Sequence, residues 1–176
     1  MRLYNKAMTD MHRTVTHDLT RLMTREIDTL IREVELFADD DALWRVLPGV
    51  ANSCGTLALH CAGNLQHYVG AVLGGSGYIR DRDREFSRRT GTRADLVAEL
   101  TSARQAVVRT LAELPAATLE AEFPEAIGGT RLPTHLFLMH LSVHLGFHVG
   151  QVDYLRRIMS GDARTAGTVA VKELIG

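Results

Sequence analysis

A chain of 176 residues suits a single domain with length enough for a buried core. Its 45% apolar and 23% charged residues are ordinary for a globular protein, and a net charge of −1 leaves no basic footprint for nucleic acid. No apolar run approaches the roughly 20 residues that span a bilayer, and the N-terminus lacks the apolar stretch and cleavage site of a signal peptide, so cytoplasmic residence is the default expectation.

The first predicted helix runs from Met8 to Ala38, where Val15, Leu19, Leu22, Ile27, Leu30, Ile31, Val34 and Phe37 recur mostly three or four residues apart without an intervening Gly or Pro. Glu26, Asp28, Glu33 and Glu35 in its second half are expected mostly at solvated positions. Asp39-Asp40-Asp41 breaks the pattern, and Leu43 to Gly49 reads as a connection in which Trp44, the sole tryptophan, plugs one end of the core. Asn52 and Ser53 suit an N-cap before a second helix, Thr56 to Leu73. Its small residues, among them Gly55, Ala58, Ala62, Gly63 and Gly70, offer close approach either to a neighbouring helix or to a second copy of the chain.

Gly74 to Gly77 stops that helix; with no strand before it and no GK[ST] after it, this is not a phosphate-binding loop. The next stretch, Arg80-Asp81-Arg82-Asp83-Arg84-Glu85-Phe86, alternates in charge. It reads either as a solvated loop or as arginines at a pocket mouth, where a guanidinium can clamp a carboxylate. Thr92, with Asp95 three residues on, caps a third helix from Arg93 to Leu114, closed by Pro115. Ala116 to Leu132 is loop-like, with room for an extended segment around Glu120 to Phe123. Pro133 then opens a fourth helix reaching Met159, and Thr168 to Val171 in the tail suits either a short strand or a segment wrapped back over the body. Four long amphipathic helices with one dominant connection after the second predict an all-α four-helix bundle, a single domain over 1–176 with its core at about 8–160 and a tail over 161–176.

Cys54 and Cys61 are seven residues apart on one helix, too distant to bridge, and read as buried small apolar side chains. Histidine is the residue type that needs explaining. His140, His144 and His148 recur every four residues on the fourth helix, and His60 and His67 share a face of the second. Two imidazoles from the fourth helix and one from the second could hold a transition metal with open coordination positions, the arrangement of a catalytic rather than a closed structural centre. The chain lacks HExxH and the Glu-x-x-His pairing of di-iron bundles. Taken singly, a histidine on such a face is more often a packed residue than a ligand, so an inert histidine-rich core stays open as a reading.

His144-Leu-Gly-Phe-His148-Val-Gly-Gln151 resembles the HxxxHxGQ signature of DinB/YfiT-like proteins. Leu59-His60-Cys-Ala-Gly63-Asn64-Leu65, Asn52-Ser53 and the Arg80 to Phe86 run resemble one branch of that superfamily, so the likeness spans roughly Val15 to Met159. It implies an up-down-down-up four-helix bundle, often dimeric, with a divalent metal (zinc, nickel or iron) on His60, His144 and His148. It also implies an activity class, because some members are thiol-dependent transferases or isomerases using bacillithiol, mycothiol or glutathione. A metal that holds a thiol presents a thiolate nucleophile, which makes such chemistry reasonable. Asn64 and Gln151 are expected to hydrogen-bond around the site, Arg80 to stand at a pocket, and His140 to pack in the core or support a ligand. The competing expectation is a non-catalytic, dimerising bundle that binds a metal or small ligand.

Overall fold

The computed structural model describes residues 2–167 and 171–174, with side chains from residue 11 onward. Helix α1 (Arg2–Glu35) is followed by a short helix α2 (Asp40–Trp44), then α3 (Cys54–Leu65), which continues without a break as a π-helical segment (Gln66–Leu73). After the glycine turn come α4 (Arg82–Ser87), α5 (Arg93–Glu113), α6 (Ala116–Glu120) and α7 (Thr134–Ser160), and a 3-10 turn over Val171–Leu174. The fold is all-α: among the described residues the only β pairing consists of two isolated bridges, Glu122 with Pro133 and Ile127 with Thr130.

The helix ends follow from local chemistry. Ser53 Oγ accepts the Thr56 amide at 3.1 Å, so α3 begins two residues before the predicted Thr56. Thr92 and Asp95 form a reciprocal capping box at the start of α5. Gly161 adopts φ 68°, the left-handed stop expected after a long helix. Three short helices lie where the sequence reads as connection. In α2, Asp39 accepts the Ala42 amide at 2.7 Å, so the acidic run that ends α1 also starts the next helix. In α4, Asp81 accepts the Arg84 amide at 2.9 Å. The third, α6, leads into a strap whose Phe123 amide donates to Leu132 at 2.8 Å. Of the strand expected at Thr168 to Val171, residues 168–170 lie outside the described residues, and Val171 opens a 3-10 turn.

Helix α1 packs against α5 and α7, and α3 packs against the same two. Every residue of α3 is buried, as expected of a helix apolar all round. The small residues therefore serve internal packing: a Cβ on Gly55 would lie 2.9 Å from the Trp44 ring, and a Cβ on Gly70 3.0 Å from that of Ala106. Trp44 is buried as predicted, with its indole N–H donating to Gly91 at 2.8 Å.

Two of the acidic residues assigned to solvent on α1 are buried instead. Glu33 is fully enclosed beside Arg156, and Glu26 is paired with Arg25. The periodicity of apolar residues marks which face is inward but cannot register a cation arriving from a helix 123 residues away.

Candidate metal centre

Three of the five histidines on α3 and α7 converge. His60 Nε2 lies 3.3 Å from His144 Nε2, which lies 3.1 Å from His148 Nε2. No other group of histidine, cysteine or carboxylate ligand atoms with this clustering occurs among the described residues, and these three atoms lie within 4.8 Å of one another. Nitrogens bound to one metal at 2.0–2.1 Å in tetrahedral array sit about 3.3 Å apart. The α7 pair follows from i, i+4 spacing on a continuous helix; His60 comes from the buried centre of α3.

The outer ring nitrogens are engaged elsewhere. His60 Nδ1 lies 3.1 Å from Glu85 Oε2, and His148 Nδ1 lies 2.7 Å from Gln151 Oε1. Both oxygens can only accept, which assigns the proton to Nδ1 in each ring and leaves both Nε2 lone pairs facing inward. His144 Nε2 can offer a proton to only one of them. Three imidazoles so placed lack the protons to satisfy one another, and a cation at their centre resolves the conflict. The donor set therefore fits a divalent transition metal.

Charge supports the same assignment. Burial, followed by the neighbouring His148, His60, His140 and Arg80, pushes the His144 pKa down to about 4. His148 is also lowered by burial, only partly offset by its bond to Gln151. Both rings are neutral near pH 7 and present lone pairs, the form a metal requires.

Glu85 is the residue the sequence did not reveal. It is buried, and its carboxylate receives Arg80 twice: Nε to Oε1 at 2.7 Å and Nη2 to Oε2 at 2.8 Å. Burial works to raise its pKa, but the bonds from Arg80 and His60 outweigh that and hold the carboxyl below its ordinary value. Arg80 Nη2 also stands 3.2 Å from His60 Nδ1, but a guanidinium only donates and that nitrogen already carries a proton for Glu85. Within the charged run Arg80 does clamp a carboxylate, but it is the chain's own Glu85. The missed signal lay in spacing: Asp81 starts a helix, and Glu85 one turn later faces α3.

Gly63 makes room for this carboxylate, because a Cβ there would collide with Glu85 Oε1. Since Arg80 clamps Glu85, it cannot swing aside freely. Gly63→Ala is expected to destabilise the fold by about 1–3 kcal/mol, as overpacking does, and to lower metal affinity; urea unfolding and metal titration of the same variant check both.

The remaining predicted site residues fall into place differently. Asn64, one turn beyond His60, is buried, and its Oδ1 has no hydrogen-bond partner in the structure. His140 is exposed rather than packed in the core; its ring is 6.0 Å from Phe137 and 6.1 Å from His144. The reason is angular, since α7 turns Leu138, Leu141 and Leu145 inward and leaves position 140 on the rim. His67 stands apart from the cluster and pairs with Glu125 at 3.1 Å. Cys54 and Cys61 are buried as predicted, and burial pushes each thiol up to about 12, so neither is a nucleophile at neutral pH. Next to Gln151, a cavity of about 390 Å³ opens between α3 and α7, lined by Val50, Asn52, Leu57, Tyr154 and Leu155 among others.

The family model for mycothiol S-transferases matches residues 18–161, which takes in α3, α4 and the whole of α7. The chain belongs to that family. The mycothiol S-transferases are part of the DinB/YfiT-like superfamily, so the resemblance carried by the His144 to Gln151 motif is correct. No curated protein matches the chain. No helix among the described residues is long and apolar enough to cross a membrane.

Proposed function

We propose that this chain is a divalent-metal-dependent S-transferase acting on a low-molecular-weight thiol, with mycothiol, after which its family is named, as the first candidate. The observation that carries the reading is the convergence of three Nε2 atoms, with the outer nitrogens of His60 and His148 committed to Glu85 and Gln151. We read α1, α3 with its π-helical extension, α5 and α7 as an up-down-down-up four-helix bundle forming a single domain, with α2, α4 and α6 as additions to its connections.

His60, His144 and His148 would hold the metal. When bound there, a divalent cation supplies the positive charge that lowers the pKa of a coordinated thiol. In the transfer, the thiol gives up its proton to solvent, sulfur bonds to an electrophilic carbon, and that carbon's leaving group departs with the electron pair of the broken bond. The chain's own groups set the stage for this. Glu85 fixes the tautomer and orientation of His60, Arg80 holds Glu85 ionised, and Gln151 does for His148 what Glu85 does for His60. The cavity beside Gln151, largely apolar with the Asn52 and Gln151 amides at its edge, suits the electrophile.

The test is elemental analysis of protein prepared without a histidine tag, before and after reconstitution with zinc, nickel or ferrous iron, followed by consumption of mycothiol in the presence of an alkylating electrophile. About one metal per chain and metal-dependent thiol consumption are expected. Failure to take up any of the three metals would overturn the proposal and leave a non-catalytic bundle.

A further inference from the structure

Gln151 has two polar ends, and the histidine cluster uses only one of them. For His148 to present the Nε2 lone pair that a metal needs, its proton must lie on Nδ1, so the Gln151 atom 2.7 Å away must be the amide oxygen. The amide nitrogen is the free end, with no partner among the described residues. Gln151 also lines the cavity of about 390 Å³, so a side chain fixed at one end by His148 holds its N–H donors at the edge of that space. Asn52 lines the same cavity from the loop before α3, and its amide likewise has no partner among the described residues. The rest of the wall is apolar, with Val50, Leu57 and Leu155, and Tyr154, 67% exposed, forms the mouth. No charged side chain lines it. Leu57 and Gln151 lie three residues from His60 and His148 respectively, so the cavity begins one helical turn from the cluster.

We propose that this cavity takes an uncharged electrophile whose reacting carbon is conjugated to a carbonyl, the carbonyl oxygen accepting from Gln151 Nε2 and from the Asn52 amide. The inference rests on the thiol-transfer reading above and names its second substrate by class. A carboxylate or phosphate would enter with no cation to pair with, at a high desolvation cost. A polyhydroxy body would leave most of its hydroxyls against Val50, Leu57 and Leu155. A hydrocarbon or alkyl halide would leave both amides unanswered. A carbonyl oxygen, with two lone pairs and an apolar skeleton behind it, matches both the amides and the wall.

The donors also select the reaction. N–H groups held at an oxygen accelerate a step only where negative charge develops on that oxygen. In conjugate addition the thiolate sulfur bonds to the β-carbon, and the π electron pair of the alkene moves to the carbonyl oxygen as an enolate. Solvent, which took the proton of the thiol, returns one to the α-carbon. The bond that breaks is the π bond, whose electrons take the place of a departing group, and no oxidant or reductant is consumed. One side chain thus sets both the tautomer of His148 and the placement of the acceptor.

Binding is tested on the metal-free full chain with benzylacetone, a saturated ketone that cannot take up a thiol. Heteronuclear NMR is expected to show the side-chain NH2 signals of Gln151 and Asn52 moving on titration, each identified by its loss in Gln151→Glu or Asn52→Leu. Ethylbenzene, an apolar body without the oxygen, is expected to bind about tenfold more weakly, and Asn52→Leu to weaken benzylacetone by a similar factor. Gln151→Glu separates the two ends of the side chain, because a carboxylate still accepts from His148 Nδ1 but offers no donor. That variant is expected to keep the parent's metal content and to lose benzylacetone binding. Once loaded, it should lose at least 100-fold in kcat/KM for mycothiol with benzylideneacetone, and much less with benzyl chloride. Side-chain signals that do not move, equal benzylacetone binding by the parent and Gln151→Glu, or equal losses with the two electrophiles would overturn the proposal. The binding measurement needs neither metal nor thiol, so a chain that binds benzylacetone at these amides but takes up no metal keeps the cavity assignment and overturns the thiol-transfer reading alone.

Discussion

His144→Ala should leave the protein folded and unable to hold a metal at stoichiometric concentration. His144 Nε2 is the middle member of the cluster, 3.3 Å from one partner and 3.1 Å from the other, so its removal leaves two ligands on different helices with nothing between them. Structural zinc sites bind with on the order of 10–16 kcal/mol in total. One ligand of three or four is thus worth about 3 kcal/mol or more, and a loss of at least 100-fold in affinity is expected by competition against a chelator. The metal-free protein should not lose stability, because the variant relieves the crowding of lone pairs that the three rings otherwise impose. Opposite signs in the two measurements would mark the cluster as built for the metal rather than for the core. A metal-free variant that unfolds more readily than the metal-free parent would mark His144 as packing.

Glu85→Gln provides the graded counterpart. Glutamine can still accept the His60 proton, but it cannot hold Arg80 through two charge-assisted bonds, so His60 loses a fixed orientation and some basicity. Substitutions of this kind lower metal affinity about 10–100-fold, less than the loss of a ligand.

The parts of this architecture legible in the sequence are those written as local periodicity. The spacing of Leu19, Ile27, Leu30 and Val34 marks the inner face of α1, and Thr92 with Asp95 marks the start of α5, because each signal lies within a turn or two of what it specifies. The i, i+4 histidines of α7 belong to the same class. Glu85 was not legible for the opposite reason. Alternating charges look solvated, and burial of that carboxylate depends on Arg80 five residues before it, His60 twenty-five before it, and the gap left by Gly63. The position of His140 was not legible because four-residue spacing drifts around a helix: 400° is one turn and 40° more, so the two steps from His140 to His148 carry a side chain from rim toward core. The π-helical winding after Leu65 has no local marker in composition.

Arg156→Ala is expected to destabilise the protein by about 3–5 kcal/mol, the usual result of removing one partner from a buried ion pair. Arg156 is 1% exposed and Glu33 fully buried, and the pair joins the end of α7 to α1. Asp153 lies 3.7 Å from the same guanidinium, so the arginine separates two carboxylates that would otherwise repel. It also donates to the Arg164 carbonyl, while Glu33 accepts the Ala166 amide at 3.3 Å, and the segment after α7 is docked through both. Glu33 already has a raised pKa, chiefly through burial, with Arg156 opposing the rise and Asp153 adding to it. Without Arg156 the pKa climbs further. A carboxyl whose folded pKa exceeds its unfolded value favours folding below the unfolded pKa and loses that contribution as pH rises through the folded one. The destabilisation should therefore be larger at pH 7 than at pH 5, read from urea midpoints at the two values. Replacing both partners with apolar residues, as in Glu33→Leu with Arg156→Met, should recover much of the loss, because the expense lies in an unpaired charge rather than in the missing attraction. Metal content should be unchanged in either variant, since neither residue touches the histidines. A loss below 1 kcal/mol in Arg156→Ala would mean that water replaces the guanidinium, and that α1 and α7 are held by their apolar stripes alone.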